Sequence, residues 1–157
     1  MSEIDVAEAR WPADRDAVLG LFRAYIAELA VDLTFQGVEA EFAALPGKYA
    51  RPEGLVLLAR TVGGEAVGCV AYRPFEAEIC EMKRLYVAPS WRDRGAGRRL
   101  CDRLLAEARA AGYRRMLLDT GDWLKAALTL YRGLGFAPIP AYYHNPLPGT
   151  VYLARDF

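Results

Sequence analysis

The sequence predicts a single α/β domain, a mixed central sheet flanked by helices. Three observations carry this expectation. Residues 80–105 read as a strand, a glycine-bearing turn and an amphipathic helix. Residues 55–72 hold two β-rich runs around Gly63-Gly64, a hairpin signal, and residues 116–134 repeat the order of strand then helix. A chain of 157 residues is long enough to bury a core, and no repeat, linker or low-complexity segment divides it, so residues 1–157 are expected to form one domain.

The elements follow in order. Ile4 to Ala9 reads as a short edge-like strand. Pro12 suits the first turn of a helix whose apolar face carries Val18, Leu21, Phe22, Tyr25, Ile26 and Leu29. A shorter helix is expected from Val38 to Leu45, before the Pro46-Gly47 break. Leu55–Thr61 and Ala66–Tyr72 form the hairpin, and Pro74 to Ala77 is expected to turn the chain into the central strand. That strand holds Ile79, Met82, Leu85, Tyr86 and Val87, and Pro89 stops it. Leu100, Leu104, Leu105 and Ala108 then recur at helical spacing, and Gly112 ends the helix. Met116–Thr120 is a further buried strand, followed by a helix from Trp123 to Leu134 closed by Gly135. Phe136–Ile139, a loop rich in Pro and Tyr, and a last strand Val151–Phe157 complete the order βααβββαβαββ.

Composition excludes several classes of function. Twenty basic residues balance twenty acidic ones, which argues against a nucleic-acid binder held by bulk charge. No apolar run approaches membrane-spanning length, and the acidic start lacks the pattern of a signal peptide, so a cytoplasmic protein without membrane contact is expected. Cys69, Cys80 and Cys101 form no CxxC and lie in predicted elements, as reduced, packed thiols would. His144 is the single histidine, and one such ligand cannot build a zinc site, so no metal is expected. Oligomeric state is left open, a homodimer included.

Chemistry concentrates at Arg92-x-x-Gly95-x-Gly97, between the central strand and the following helix. Unpaired amides at a helix start attract anions, the helix dipole adds to them, and glycines admit a phosphate close to the backbone. Arg92, Arg94, Arg98 and Arg99 surround this turn, so a pyrophosphate is the expected ligand. The third glycine of a dinucleotide fingerprint is replaced by Leu100, and no P-loop Gly-Lys-Ser/Thr is present.

The same residues, with the strand ending Leu85-Tyr86-Val87-Ala88-Pro89 ahead of them, resemble the coenzyme A signature of the GNAT superfamily of N-acetyltransferases. The element order resembles that fold from end to end. The resemblance implies a sheet whose two middle strands diverge, with the pantetheine arm of acetyl-CoA pairing to the backbone of Leu85 and Val87. It implies cofactor contacts from Leu85, Tyr86, Val87, Arg92, Asp93, Arg94, Gly95, Ala96, Gly97 and Arg98. A second stretch, Ala127-Leu128-Thr129-Leu130-Tyr131-Arg132-Gly133-Leu134-Gly135-Phe136, is similar to the closing segment of the family. There Tyr131 matches the tyrosine that protonates the leaving thiolate, a task suited to a phenol neutral at ordinary pH. Leu124 departs from the family, many members of which carry Asn at that position.

By the same resemblance Glu81 stands where several members place a catalytic glutamate, and burial in an apolar strand would favour its neutral form. A salt bridge to Lys83 or Arg84, or a carboxylate that binds the acceptor, is the competing reading, with a water chain then serving as base. The acceptor is expected between the first two helices and the loop before the last strand, with Tyr25 and Phe35 on one side and Tyr142, Tyr143 and Asn145 on the other. Aromatic rings and carboxylates suit a cationic amine, small molecule or peptide. The activity implied is direct transfer of acetyl from acetyl-CoA to a primary amine in a ternary complex. A non-catalytic acyl-CoA-binding domain is the alternative. Covalent catalysis by Cys80 or Cys101 is disfavoured for want of a histidine partner.

Overall fold

A seven-stranded sheet, in the order β1-β2-β3-β4-β5-β7-β6, organises the molecule. The computed structural model describes residues 3–29 and 37–157. Strands β1 (Ile4–Glu8), β2 (Leu55–Thr61), β3 (Ala66–Glu76) and β4 (Ile79–Val87) pair antiparallel, each with the next. Strand β5 (Arg115–Gly121) lies parallel to β4, and β7 (Thr150–Asp156) is antiparallel to both β5 and the two-residue β6 (Ala137–Pro138). The predicted mixed α/β class and element order are observed.

Alternation along the strands divides the core in two. Leu55, Leu57 and Ala59 of β2 face helices α3 (Ala96–Ala110) and α4 (Lys125–Gly133). Val56 and Leu58 face helices α1 (Arg15–Leu29) and α2 (Val38–Ala43). Successive side chains point to opposite faces, so a strand sandwiched between helices must be apolar at every position. Leu100, Cys101, Leu104, Leu105 and Ala108 form the buried stripe of α3, and Val18, Leu21 and Phe22 that of α1. Truncating such a side chain costs about 2–5 kcal/mol.

The sequence misplaced one turn. Pro74 lies within β3, paired with Cys80, and the reversal comes at Glu78, whose φ is 64°. The register slips between Pro74 and Glu76, and such a bulge is where a strand tolerates a residue without an N–H. Helix α4 also starts later than expected, after Leu124, and β6 is shorter than Phe136–Ile139.

Two irregularities shape the site. Strands β4 and β5 pair only over Ile79–Glu81 and Arg115–Leu117; beyond that, β4 continues to Val87 and β5 to Gly121 without a shared ladder. The predicted divergence is thus present, and the backbone edge of β4 that faces β5 is left unpaired by it there. Within β4, Cys69 pairs with Tyr86 while Ala71 pairs with Lys83, so β4 carries one extra residue. That bulge holds Arg84 at φ 62°, left-handed for a non-glycine residue. Its effect is chemical: Lys83 and Arg84, neighbours in sequence, are both buried on the α1/α2 side.

Candidate active site

The gap between β4 and β5 opens into a cavity of about 460 Å³ that runs from Arg92–Gly97 to Tyr131. One wall is the free edge of β4 from Met82 to Val87, and the other is β5 from Leu118 to Gly121 with Lys125, Leu130 and Tyr131 of α4. Tyr25 and Glu28 of α1 and Asn145 of the β6–β7 loop close it on the far side.

At one end, Asp93 (φ 62°) and Gly95 (φ 81°) turn the chain into α3, whose first turn has no side-chain cap. The opening amides of a fifteen-residue helix therefore remain available, and residues alternating in the sign of φ gather amides into an anion-binding concavity. Gly97 leaves room as well: an added Cβ would lie 3.6 Å from Leu130 and 4.0 Å from Val87, so the cavity, not the protein wall, occupies that side.

The arginines are more tightly engaged than a phosphate clamp requires. Arg92 donates from Nε to the Val87 carbonyl at 2.8 Å and from Nη2 to both Glu28 oxygens at 2.7 and 2.6 Å. Arg94 pairs with Glu3 at 2.9 Å and stacks on Trp91, and Arg98 pairs with Asp102 one turn along α3. Arg94 and Arg98 do not line the cavity. These partners hold both guanidinium groups at the outer surface.

At the other end, the sheet face toward α1 and α2 carries an ionic network. Glu81 accepts from Arg73 Nε at 3.1 Å and from the Tyr142 hydroxyl at 2.6 Å. Asp119 accepts from Tyr143 at 2.5 Å and from Asn145 Nδ2 at 3.3 Å. Arg84 donates to Glu41 at 3.0 Å. Lys83 Nζ lies 3.8 Å from Asp119 and 4.0 Å from Glu81. Burial pushes the Lys83 ammonium below its ordinary value, opposed by the two carboxylates and reinforced by Arg73 and Arg84. The register explains the Lys83–Asp119 approach. Glu81 pairs with Leu117, so the residues two further on face each other where the ladder stops.

Tyr131 is buried and packs edge-on against Phe136 with centroids 5.9 Å apart. Its hydroxyl makes no hydrogen bond to another described residue. Burial above all, then Cys101, Tyr25 and Asp119, holds the phenol protonated well past its usual range. The hydroxyl therefore stays neutral. The three thiols are unsuited to attack: Cys69, Cys80 and Cys101 are buried, and burial pushes each up to about 12.

Residues 23–136 match the model of the acetyltransferase (GNAT) family. The chain is 42% identical to an uncharacterized N-acetyltransferase of Schizosaccharomyces pombe over 99% of its own length and 96% of the relative's. This chain belongs to the GNAT family. A Klebsiella pneumoniae protein taken to be an acyl-CoA N-acyltransferase superposes with a TM-score of 0.75 at 26% identity, covering 98% of this chain and 97% of that one. An acetyltransferase from Streptococcus agalactiae reaches 0.80 at 20% identity over the whole of both chains and shows the shared fold alone.

Within this GNAT fold, Leu85, Tyr86, Val87, Arg92, Asp93, Gly95, Ala96 and Gly97 line the cavity, as do Tyr25, Asn145 and Tyr131. Glu81 lies behind the cavity wall, and Tyr142 and Tyr143 reach the site through the carboxylates they donate to. The expectation for Phe35 lies outside the described residues. Sequence reasoning missed Asp119, an acid directly after the apolar run Met116–Leu118, and took Lys83 only as a partner for Glu81. A charged residue near the carboxyl end of a buried strand was the available signal. Among the described residues no cluster could hold a metal ion, and no helix is long and apolar enough to cross a membrane.

Proposed function

We propose that this protein transfers an acetyl group from acetyl-CoA to a primary amine by direct attack within a ternary complex. The observation that carries the proposal is the continuity of one cavity. It joins amides at the start of α3, a free strand edge, a protonated buried phenol and a carboxylate. Membership of the GNAT family and the acyl-CoA N-acyltransferase neighbour support acyl-CoA as the donor.

Each part has a task. The amides at Gly95–Gly97 take the pyrophosphate, and the unpaired edge at Leu85 and Val87 matches the amides of a pantetheine arm as an added strand would. The Val87 carbonyl already accepts from Arg92, and its second lone pair remains for a ligand amide. The bound thioester supplies an activated acetyl carbon and a thiolate leaving group. Tyr131 gives that thiolate its proton. Of the two carboxylates, Asp119 borders the cavity and shares the electrostatic surroundings of Tyr131, so the amine meets Asp119. Glu81, with Arg73 and Tyr142 on its oxygens, serves the proton transfer from behind, fixing Lys83 and the loop that carries Tyr142. In balance, the ammonium gives one proton to Asp119 before attack. A C–N bond forms as the C–S bond breaks, Tyr131 gives its proton to sulfur, and the second proton lost from nitrogen restores the Tyr131 hydroxyl.

Calorimetry with acetyl-CoA and thiol release over a panel of amines test the reading together. Binding with amine-dependent thiol release is expected. Binding without release on any amine would make the domain an acyl-CoA sensor, and no binding would remove the donor assignment.

A further inference from the structure

Lys83 is a member of the ionic network whose donors make ion pairs with it but no hydrogen bond within it. Its side chain is 6% exposed, borders the cavity, and makes no hydrogen bond to another described residue. Distances of 3.8 and 4.0 Å to Asp119 and Glu81 exceed the 2.7–2.9 Å of a charge-assisted hydrogen bond. An ammonium has three donors, and burying them unused is costly. Both carboxylates, by contrast, are served by others: Asp119 by Tyr143 and Asn145, Glu81 by Arg73 and Tyr142. Lys83 therefore faces the cavity with donors to spare.

Charge balance narrows what those donors meet. The carboxylates Glu41, Glu81 and Asp119 are matched by Arg73, Lys83 and Arg84 in contacts of 4.0 Å or less. A desolvated site that is already neutral resists a ligand of net charge and accepts one whose own charges cancel. We infer that the acceptor is a zwitterionic amine of the amino-acid type, its carboxylate on Lys83 and its amino group toward Asp119. The inference rests on the acetyltransferase reading above. Laid alongside the pair from the cavity that both residues line, such a ligand sets its carboxylate on Lys83 and its amino group on Asp119, whose charged atoms stand 3.8 Å apart. Lysine side chains in peptides and polyamines bring net positive charge and lack the group that Lys83 would hold.

The test uses the twenty L-amino acids, their methyl esters and the corresponding decarboxylated amines, each added to the protein saturated with CoA for calorimetry, and with acetyl-CoA for thiol release. One or more amino acids should bind and turn over, and the matched ester and decarboxylated amine should lose roughly ten- to a hundredfold in affinity and in kcat/KM, the loss of one charge-assisted hydrogen bond. Lys83→Met should raise the Kd and KM of the amino acid by a similar factor, with kcat nearly kept, and should abolish the preference over the ester. Asp119 keeps its hydrogen bonds from Tyr143 and Asn145 in that variant. An unchanged thermal midpoint and acetyl-CoA affinity verify the fold, and Lys83→Gln is the second variant should Met fail. Esters or peptide lysines used as well as amino acids would overturn the inference. So would a Lys83→Met loss confined to kcat for every acceptor, which would put Lys83 on the acyl group. Amino-acid binding without thiol release would sustain it while overturning the enzyme reading. Acetyl-CoA binding and amine turnover with no amino acid bound would do the reverse.

Discussion

Replacing Tyr131 by Phe separates chemistry from packing. The ring keeps its edge-on contact with Phe136 at 5.9 Å, and the hydroxyl that is lost bonds to no other described residue. No protein group is left unsatisfied, so stability should change by about 0.5 kcal/mol or less, a shift of about 2 °C or less in Tm. The hydroxyl meets negative charge that develops on sulfur only as the thioester breaks. A hydrogen bond to a charged group is worth about 1.5–3 kcal/mol, and about 1.4 kcal/mol is tenfold. The turnover number should therefore fall roughly ten- to a hundredfold, while acetyl-CoA binds within about a factor of three of the parent protein. Burial keeps the phenol protonated above its usual range, so the ratio of the two turnover numbers should stay constant up to about pH 10. Stopped thiol-release assays across pH and calorimetry with acetyl-CoA give both numbers. Full turnover in the variant would make Tyr131 a packing residue. Lost cofactor affinity would show that its hydroxyl stabilises the ground state.

Three further outcomes are expected. Gly97→Val should lower acetyl-CoA affinity at least about tenfold with the fold intact, because the added atoms enter the cavity. Gly95→Val, at φ 81°, should also cost about 1–3 kcal/mol of stability in denaturant unfolding, so equal stability of the two variants would contradict the loop geometry. Asp119→Asn should lower kcat about a hundredfold or more and Glu81→Gln about tenfold or less; the opposite order in steady-state kinetics would return the proton-accepting role to Glu81. Glu41→Ala removes the carboxylate from Arg84, whose side chain is 3% exposed, and should cost about 3–5 kcal/mol in urea unfolding; a loss under about 1 kcal/mol would mean that Arg84 is otherwise compensated.

Local pattern determined much of this protein. Alternation and helical spacing are set by neighbouring residues, so β2, α3 and their apolar faces were legible, as was the Arg92–Gly97 turn. A left-handed Gly95 ahead of a helix is a local backbone requirement that glycine records in the sequence. Family likeness then singled out Tyr131, which lies in a contiguous motif and lines the cavity.

Tertiary structure decided the rest, for reasons of distance. Arg94 and Arg98 stand beside the turn in sequence, but only the packed chain brings Glu3, 91 residues away, onto Arg94, while Arg98 pairs with Asp102. Glu81 was legible as an acid in a buried strand, but the loop that brings Tyr142 onto it and the cavity that borders Asp119 are set by tertiary packing. Pro74 read as a turn because a proline ends an isolated strand, whereas pairing with β4 through a bulge carries the strand past it. The pairing of Lys83 with Asp119 depends on a parallel register between strands separated by a helix, and on where that ladder ends. Sequence spacing encodes which face a residue occupies; only the packed sheet determines which charge waits on the other side.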